Sequence, residues 1–116
     1  MHAAANIVVA IVALIHVYIL VLEMFLWDRP IGLRTFNMDL DFAIATRVMA
    51  ANQGLYNGFL AAGLFWGLFA GYTDVQRFFL GCVAMAGVYG ALTVNTRILV
   101  VQGGPAFLGL ILLAFA

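Results

Sequence analysis

Few side chains in this 116-residue chain can do chemistry, and most of them fall in apolar surroundings. Glu23 lies near the end of an apolar run that begins at Ala3, and His16 lies seven residues before it. Seven residues is close to two helical turns, so the two project from one helix face about 10 Å apart along the axis. A carboxyl or imidazole in hydrocarbon is costly, and such a residue is a functional candidate by default. Glu23 and His16 are therefore the candidate acid/base pair: desolvation raises a carboxyl towards neutral pKa, where it can move a proton. A second cluster, Asn52, Gln53, Tyr56 and Asn57, opens another apolar run. An amide moved into an apolar medium without a partner loses about 4–8 kcal/mol in the harshest reference solvent. These groups must meet protein, trapped water or a ligand. Asn95, Arg97 and Gln102 are candidates for the same lining, and the partners open to Glu23 are Arg97, Arg47 and the amides.

Other chemistries find no footing. His2 and His16 are fourteen residues apart, roughly 21 Å on a straight helix, and His16 and Glu23 are too far apart for a shared first shell, so no metal site is expected. A lone Cys82 offers no internal disulfide and no metal-type cysteine pair. No nucleophile–base pair or phosphate loop is present, and no cofactor is expected. Five arginines, no lysine and five acidic residues balance to zero net charge, which leaves no basic face for nucleic acid.

The elements that must position these groups are set by composition. Residues are 66% hydrophobic and 9% charged, against about half and a quarter in soluble domains. The chain reads as all-α, a single transmembrane domain over 1–116 forming a four-helix bundle that runs up-down-up-down. Helices are expected at about 3–27, 43–71, 75–96 and 98/105–116. The first is too long for a signal-peptide core, lacks a positive leader and ends at Asp28-Arg29-Pro30, so it reads as a retained span. Residues 28–47 form an interfacial connection. Thr35–Phe42 alternates polar and apolar, which suits an extended surface segment; a short interfacial helix is the alternative.

Small residues recur at spacings of three and four. Gly54/Gly58 and Gly63/Gly67/Gly71 lie on roughly opposite faces of the second helix, so it packs on two sides. Gly81, Ala84, Gly87 and Gly90 form a stripe on the third helix, expected to dock on the second. Thr73 or Asp74 is expected to cap that third helix. Gln102-Gly103-Gly104-Pro105 marks a break before the last helix. Arginine distribution places the connections after helices 1 and 3 in the cytoplasm and both termini outside. That topology gathers Glu23, the 52–57 amides, Asn95, Arg97 and Gln102 in the cytoplasmic leaflet as a polar pocket.

Glu23…Trp27-Asp28, the run Ala51-Asn52-Gln53-Gly54-Leu55-Tyr56-Asn57-Gly58-Phe59-Leu60-Ala61 and Gly103-Gly104-Pro105-Ala106 together resemble a family of small bacterial four-helix membrane proteins whose function is uncharacterised. The resemblance covers essentially the whole chain and implies a bacterial plasma-membrane protein. It implies no chemistry. Three functions fit the residues: a binder of a small amphipathic or lipid-derived ligand, an intramembrane acid/base enzyme of isomerase type, and an accessory or self-associating homo-oligomeric subunit. Membrane lipids are the expected surroundings in all three.

Overall fold

A computed structural model describes residues 2–116 and shows an all-α protein. The order is α1 (His2–Phe25), α2 (Pro30–Phe36), α3 (Leu40–Ala70), α4 (Thr73–Thr93), a π-helical turn (Leu99–Gly103) and α5 (Gly104–Ala114). There are five α-helices rather than four because the connection after α1 itself holds a helix. α1 and α4 are long and apolar enough, by length and composition, to cross a membrane. The chain divides into two compact units. Among the described residues, one comprises 2–15 and 60–116; the other comprises His16–Phe59.

In the second unit, of the two conformations open to the 28–47 connection the structure has the short helix. Pro30 opens α2, where its missing N–H costs nothing. Asn37 ends it in the left-handed region (φ 53°), which asparagine tolerates, with its N–H on the Leu33 carbonyl. Asp39 Oδ1 then accepts the Phe42 N–H at 2.8 Å and starts α3. Local caps outweigh the period-two pattern. The corner is fastened by Trp27, whose Nε1 donates to Thr46 Oγ1 at 3.0 Å and whose ring lies 4.9 Å from that of Phe36. Asp28 and Arg47 pair at 3.1 Å. Gly32 is buried so closely under the Leu26 and Trp27 carbonyls that no Cβ fits there.

The first unit carries the larger core. Ala5, Val9, Val12, Ala13, Leu64, Leu80, Val83, Ala84, Ala106 and Leu113 pack together. Four of the ten are alanines, which let backbones approach. α3 reaches α4 through Gly71, whose φ of 74° ends α3 with the Tyr72 N–H on the Gly67 carbonyl at 2.9 Å. Neither Thr73 nor Asp74 caps α4. The cap position is Tyr72, without a side-chain bond, and Asp74 lies inside the first turn, 3.4 Å from Arg77. There its negative charge suits the positive end of the helix dipole.

The small-residue stripe of α4 also finds a different partner from the one expected. A Cβ on Gly87 would lie 2.6 Å from Gly103 Cα, and one on Gly90 would lie 2.8 Å from Ile98 Cγ2. The stripe docks on the π-turn and α5, while α3 meets α4 through Gly63 against Phe79 and Gly67 against Gln76. The break at Gln102–Pro105 is absorbed by the π-turn. Pro105 has no N–H and its ring crowds the carbonyl four residues back, so the helix there widens instead of stopping. Ile98–Val101 thus leads straight into α5.

Candidate functional site

In the second unit, α1 and α3 run side by side over Gly54 and Gly58. A Cβ on Gly54 would stand 2.5 Å from Met24 Cγ and 3.2 Å from Glu23 Cβ, and one on Gly58 would stand 2.7 Å from Leu20 Cδ1. With no side chain between them the backbones come close enough for short polar groups to span the gap. Asn57, on the flank of that seam, donates from Nδ2 to Glu23 Oε1, and the same amide group donates to the Gln53 carbonyl one turn back at 3.1 Å. Glu23 is half-buried and forms no ion pair among the described residues.

Of the two arginines named as partners for Glu23, Arg47 is engaged elsewhere and holds Asp28, and Arg97 forms no ion pair among the described residues. Of the candidate partners, it is the α3 amide that the structure puts on the carboxyl. Gln53 lies one turn from Asn57 on the same side of α3, with an exposed side chain. Asn52 and Tyr56 point elsewhere. They share a face about half a turn from Gly54. Asn52 returns its amide to the Val48 carbonyl at 2.9 Å, and Tyr56 is exposed with its ring 5.8 Å from Phe59. His16 is completely buried and engaged in an interaction of its own.

Asn95, Arg97 and Gln102 belong to the other unit. Asn95 Oδ1 accepts the Arg97 backbone N–H at 2.9 Å, an Asx turn that reverses the chain after α4. Gln102 is half-buried in the π-turn and is also engaged.

Two features escaped the sequence reading. Gln76, only 4% exposed, donates from Nε2 to the Gly67 carbonyl at 3.0 Å and fastens the α3–α4 hairpin; its Oε1 has no protein partner. A glutamine one turn into α4, opposite a Gly-x-x-x-Gly stretch, was the available signal. The other is an open apolar groove of about 500 Å³ between α4 and α5, lined by Gly81, Met85, Val88, Leu92, Phe107 and Leu110.

Chemically, a half-buried carboxyl with one oxygen on an amide offers its second oxygen to a hydroxyl or ammonium donor. Among the described residues no three His, Cys, Asp or Glu side chains group closely enough to hold a metal ion.

Comparison with known proteins adds a family and no activity. The family model described as "Protein of unknown function (DUF1304)" matches residues 10–114. An uncharacterized protein, YpaA, from Lactococcus lactis subsp. lactis (strain IL1403) is 35% identical over 105 residues, covering 87% of this chain and 88% of that protein. No solved structure matches the chain.

Proposed function

This chain belongs to the DUF1304 family of proteins of unknown function, and we propose that it is an integral membrane protein that binds a small amphipathic molecule through Glu23 and Asn57. Membrane residence is supported by which side chains face out. The largest fully buried side chains are Leu22, Leu64, Leu80, His16, Val9, Val12 and Val83, with no Phe or Trp among them. Phe69 (81% exposed), Leu92 (80%) and Met85 (75%) point outward instead. Water-soluble monomers rarely expose apolar surface on that scale, whereas packing in lipid places small residues inside. Arg29, Arg34 and Arg47 after α1 and Arg97 after α4 set those ends in the cytoplasm.

The observation that carries the binding role is the company Glu23 keeps. A carboxyl held for stability alone in hydrocarbon is paired with a cation, or carries its own proton with both oxygens hydrogen-bonded. This one is met by a neutral amide on one oxygen, which leaves it suited to a ligand that brings a donor. Asn57 fixes the carboxyl's orientation, Gln53 is exposed one turn away on the same side of α3, and the apolar flanks of α1 and α3 would take the ligand's tail.

Native mass spectrometry of the protein purified in mild detergent tests this. We expect a co-purifying small molecule bearing a hydroxyl or amine. Glu23→Gln, which keeps size and a hydrogen-bonding side chain, should lose it while unfolding at the wild-type temperature. A Glu23→Gln protein that retains the same adduct, or a wild-type protein with none after extraction from native membranes, overturns the reading.

A further inference from the structure

Within the second unit one face of α3 stays open. Phe42, Met49, Tyr56 and Phe59 each show more than half of their surface, and Ala45 and Asn52 are exposed between them. Along the chain these six are spaced by three, four, three, four and three residues. That is the spacing of the seam along which two helices wind around each other. In the other unit the same stripe runs on to Gly63, and there Phe79 of α4 packs on it. The stripe is thus a packing face that is covered where α4 meets it and bare from Phe42 to Phe59.

An amide sits in the middle of this seam. Asn52 lies five residues, about 8 Å along the axis, past Arg47, the last charged residue of α3. It donates one N–H to the Val48 carbonyl at 2.9 Å. That bond leaves a second N–H and the Oδ1 carbonyl to be met. Water would meet them on a soluble helix, but in hydrocarbon an unmet amide is costly. Because Asn52 is exposed, the group that meets it comes from outside the chain. It must lie at the depth of Asn52 and offer a donor and an acceptor together.

We propose that the occupant is α3 of a second copy of this chain, with the two Asn52 amides bonded to each other across a two-fold axis along the membrane normal. An amide carries donor and acceptor, so it is complementary to itself. Arginine placement turns every copy the same way round, and two parallel copies therefore bring Asn52 to the depth of its own twin. A single asparagine on an otherwise apolar seam fixes register and favours two strands, and a two-fold contact closes on itself. Charge allows the approach. No residue from Val48 to Leu60 is charged. Arg47 projects from the opposite side of α3 and holds Asp28, and Asp41 stands at the outer end of the seam. A lipid tail, by contrast, brings no hydrogen bond to the amide. This inference rests on the membrane reading and is independent of Glu23, which meets α3 on its other side, at Gly54.

Cross-linking of the full chain in isolated native membranes, on a Cys82→Ala background, tests the seam. Ala45→Cys should give a disulfide-linked dimer with copper phenanthroline, since a seam position meets its twin within the Cα separation a disulfide spans. Ile44→Cys, exposed at nearly the same depth but about 100° round the helix, should not. Energy transfer between labelled copies on dilution in mild detergent tests the amide pair. Two interhelical amide bonds of average strength correspond to about an eight-fold change in dissociation constant. Asn52→Leu should therefore dissociate about eight-fold more readily in a protein of unchanged circular dichroism, while Glu23→Gln should match wild type. The proposal is overturned if wild type is a monomer, if Ile44→Cys cross-links as well as Ala45→Cys, or if Asn52→Leu associates as tightly as wild type. Loss of association in Glu23→Gln would move the contact to the α1–α3 seam and also overturn it. Alkaline carbonate extraction separates the premise from the inference. A chain released from membranes by carbonate overturns both, whereas a chain that stays in the membrane as a monomer overturns the dimer alone.

Discussion

Two glycines one helix face apart on α4 should respond to the same substitution with opposite signs. At Gly87 an added methyl would stand 2.6 Å from Gly103 Cα and 2.7 Å from Gly103 N. Both are backbone atoms, so no side chain can swing aside. Restoring ordinary contact requires α4 and the π-turn to separate by roughly 1 Å along a seam that also includes Gly90 and Ile98, and overpacking of this kind costs about 1–3 kcal/mol. At Gly81 the methyl meets nothing within 4 Å. There the substitution only removes backbone freedom from the unfolded chain, a gain of about 0.5–1 kcal/mol. The helix gain is common to both sites and cancels, so the difference between Gly81→Ala and Gly87→Ala should be the overpacking cost alone, about 1–3 kcal/mol. Thermal unfolding in mild detergent, followed by circular dichroism, reads it. At about 4 °C per kcal/mol for a chain of this size, Gly81→Ala should rise by a few degrees and Gly87→Ala should fall by several. A Gly87→Ala protein as stable as Gly81→Ala would refute the close approach of α4 to the π-turn.

Asn57→Ala removes the donor on Glu23 and should lower stability by about 1–3 kcal/mol, the cost of stranding a half-buried acceptor; Asn57→Asp, which sets a second carboxyl there, should lower it further, and both are read by the same melts. Asp39→Ala removes the side-chain cap of α3 and should cost about 0.5–2 kcal/mol, with faster amide hydrogen exchange confined to the first turn of that helix. Gln76→Met exchanges one hydrogen bond for the removal of an orphan buried oxygen. Because the Gly67 carbonyl keeps the Tyr72 N–H, the change should stay within about 1 kcal/mol of wild type; a loss beyond 2 kcal/mol would show that the Gln76 bond dominates the hairpin.

The helices were legible because apolar runs of this length have few alternatives, and their glycine spacing carried the packing. Gly54 and Gly58 do face α1, and Gly63 and Gly67 do face α4. The partner of the Gly81–Gly90 stripe was not legible, since a stripe of small residues says that something approaches and not what does. The 28–47 connection stays open between extended and helical in the sequence because its period-two pattern spans eight residues, while three local signals (Pro30, Asn37 and Asp39) fix a helix, a left-handed stop and a new start. For the site, one pairing was within reach. The sequence leaves Glu23 open to Arg97, Arg47 or the α3 amides, and in the structure the Asn57 amide meets it. Asn52 and Tyr56 share a polar cluster with Asn57 in sequence but not a direction, because helical phase separates neighbours that the eye groups together.

The π-turn has a consequence for the lengths such chains can have. Ile98 meets Gly90 and Gly103 meets Gly87, with five residues taking the place of an ordinary turn of about four. One residue between Leu99 and Gly103 is therefore surplus to the geometry. A relative shorter by one at this point, and without the proline, would keep both pairings on an unbroken α-helix, while a relative longer by one would rotate α5 by about 100° and carry Ala106 and Gly109 off the α4 surface. A single-residue deletion joined to replacement of Pro105, and not an insertion, is the size change this segment accommodates.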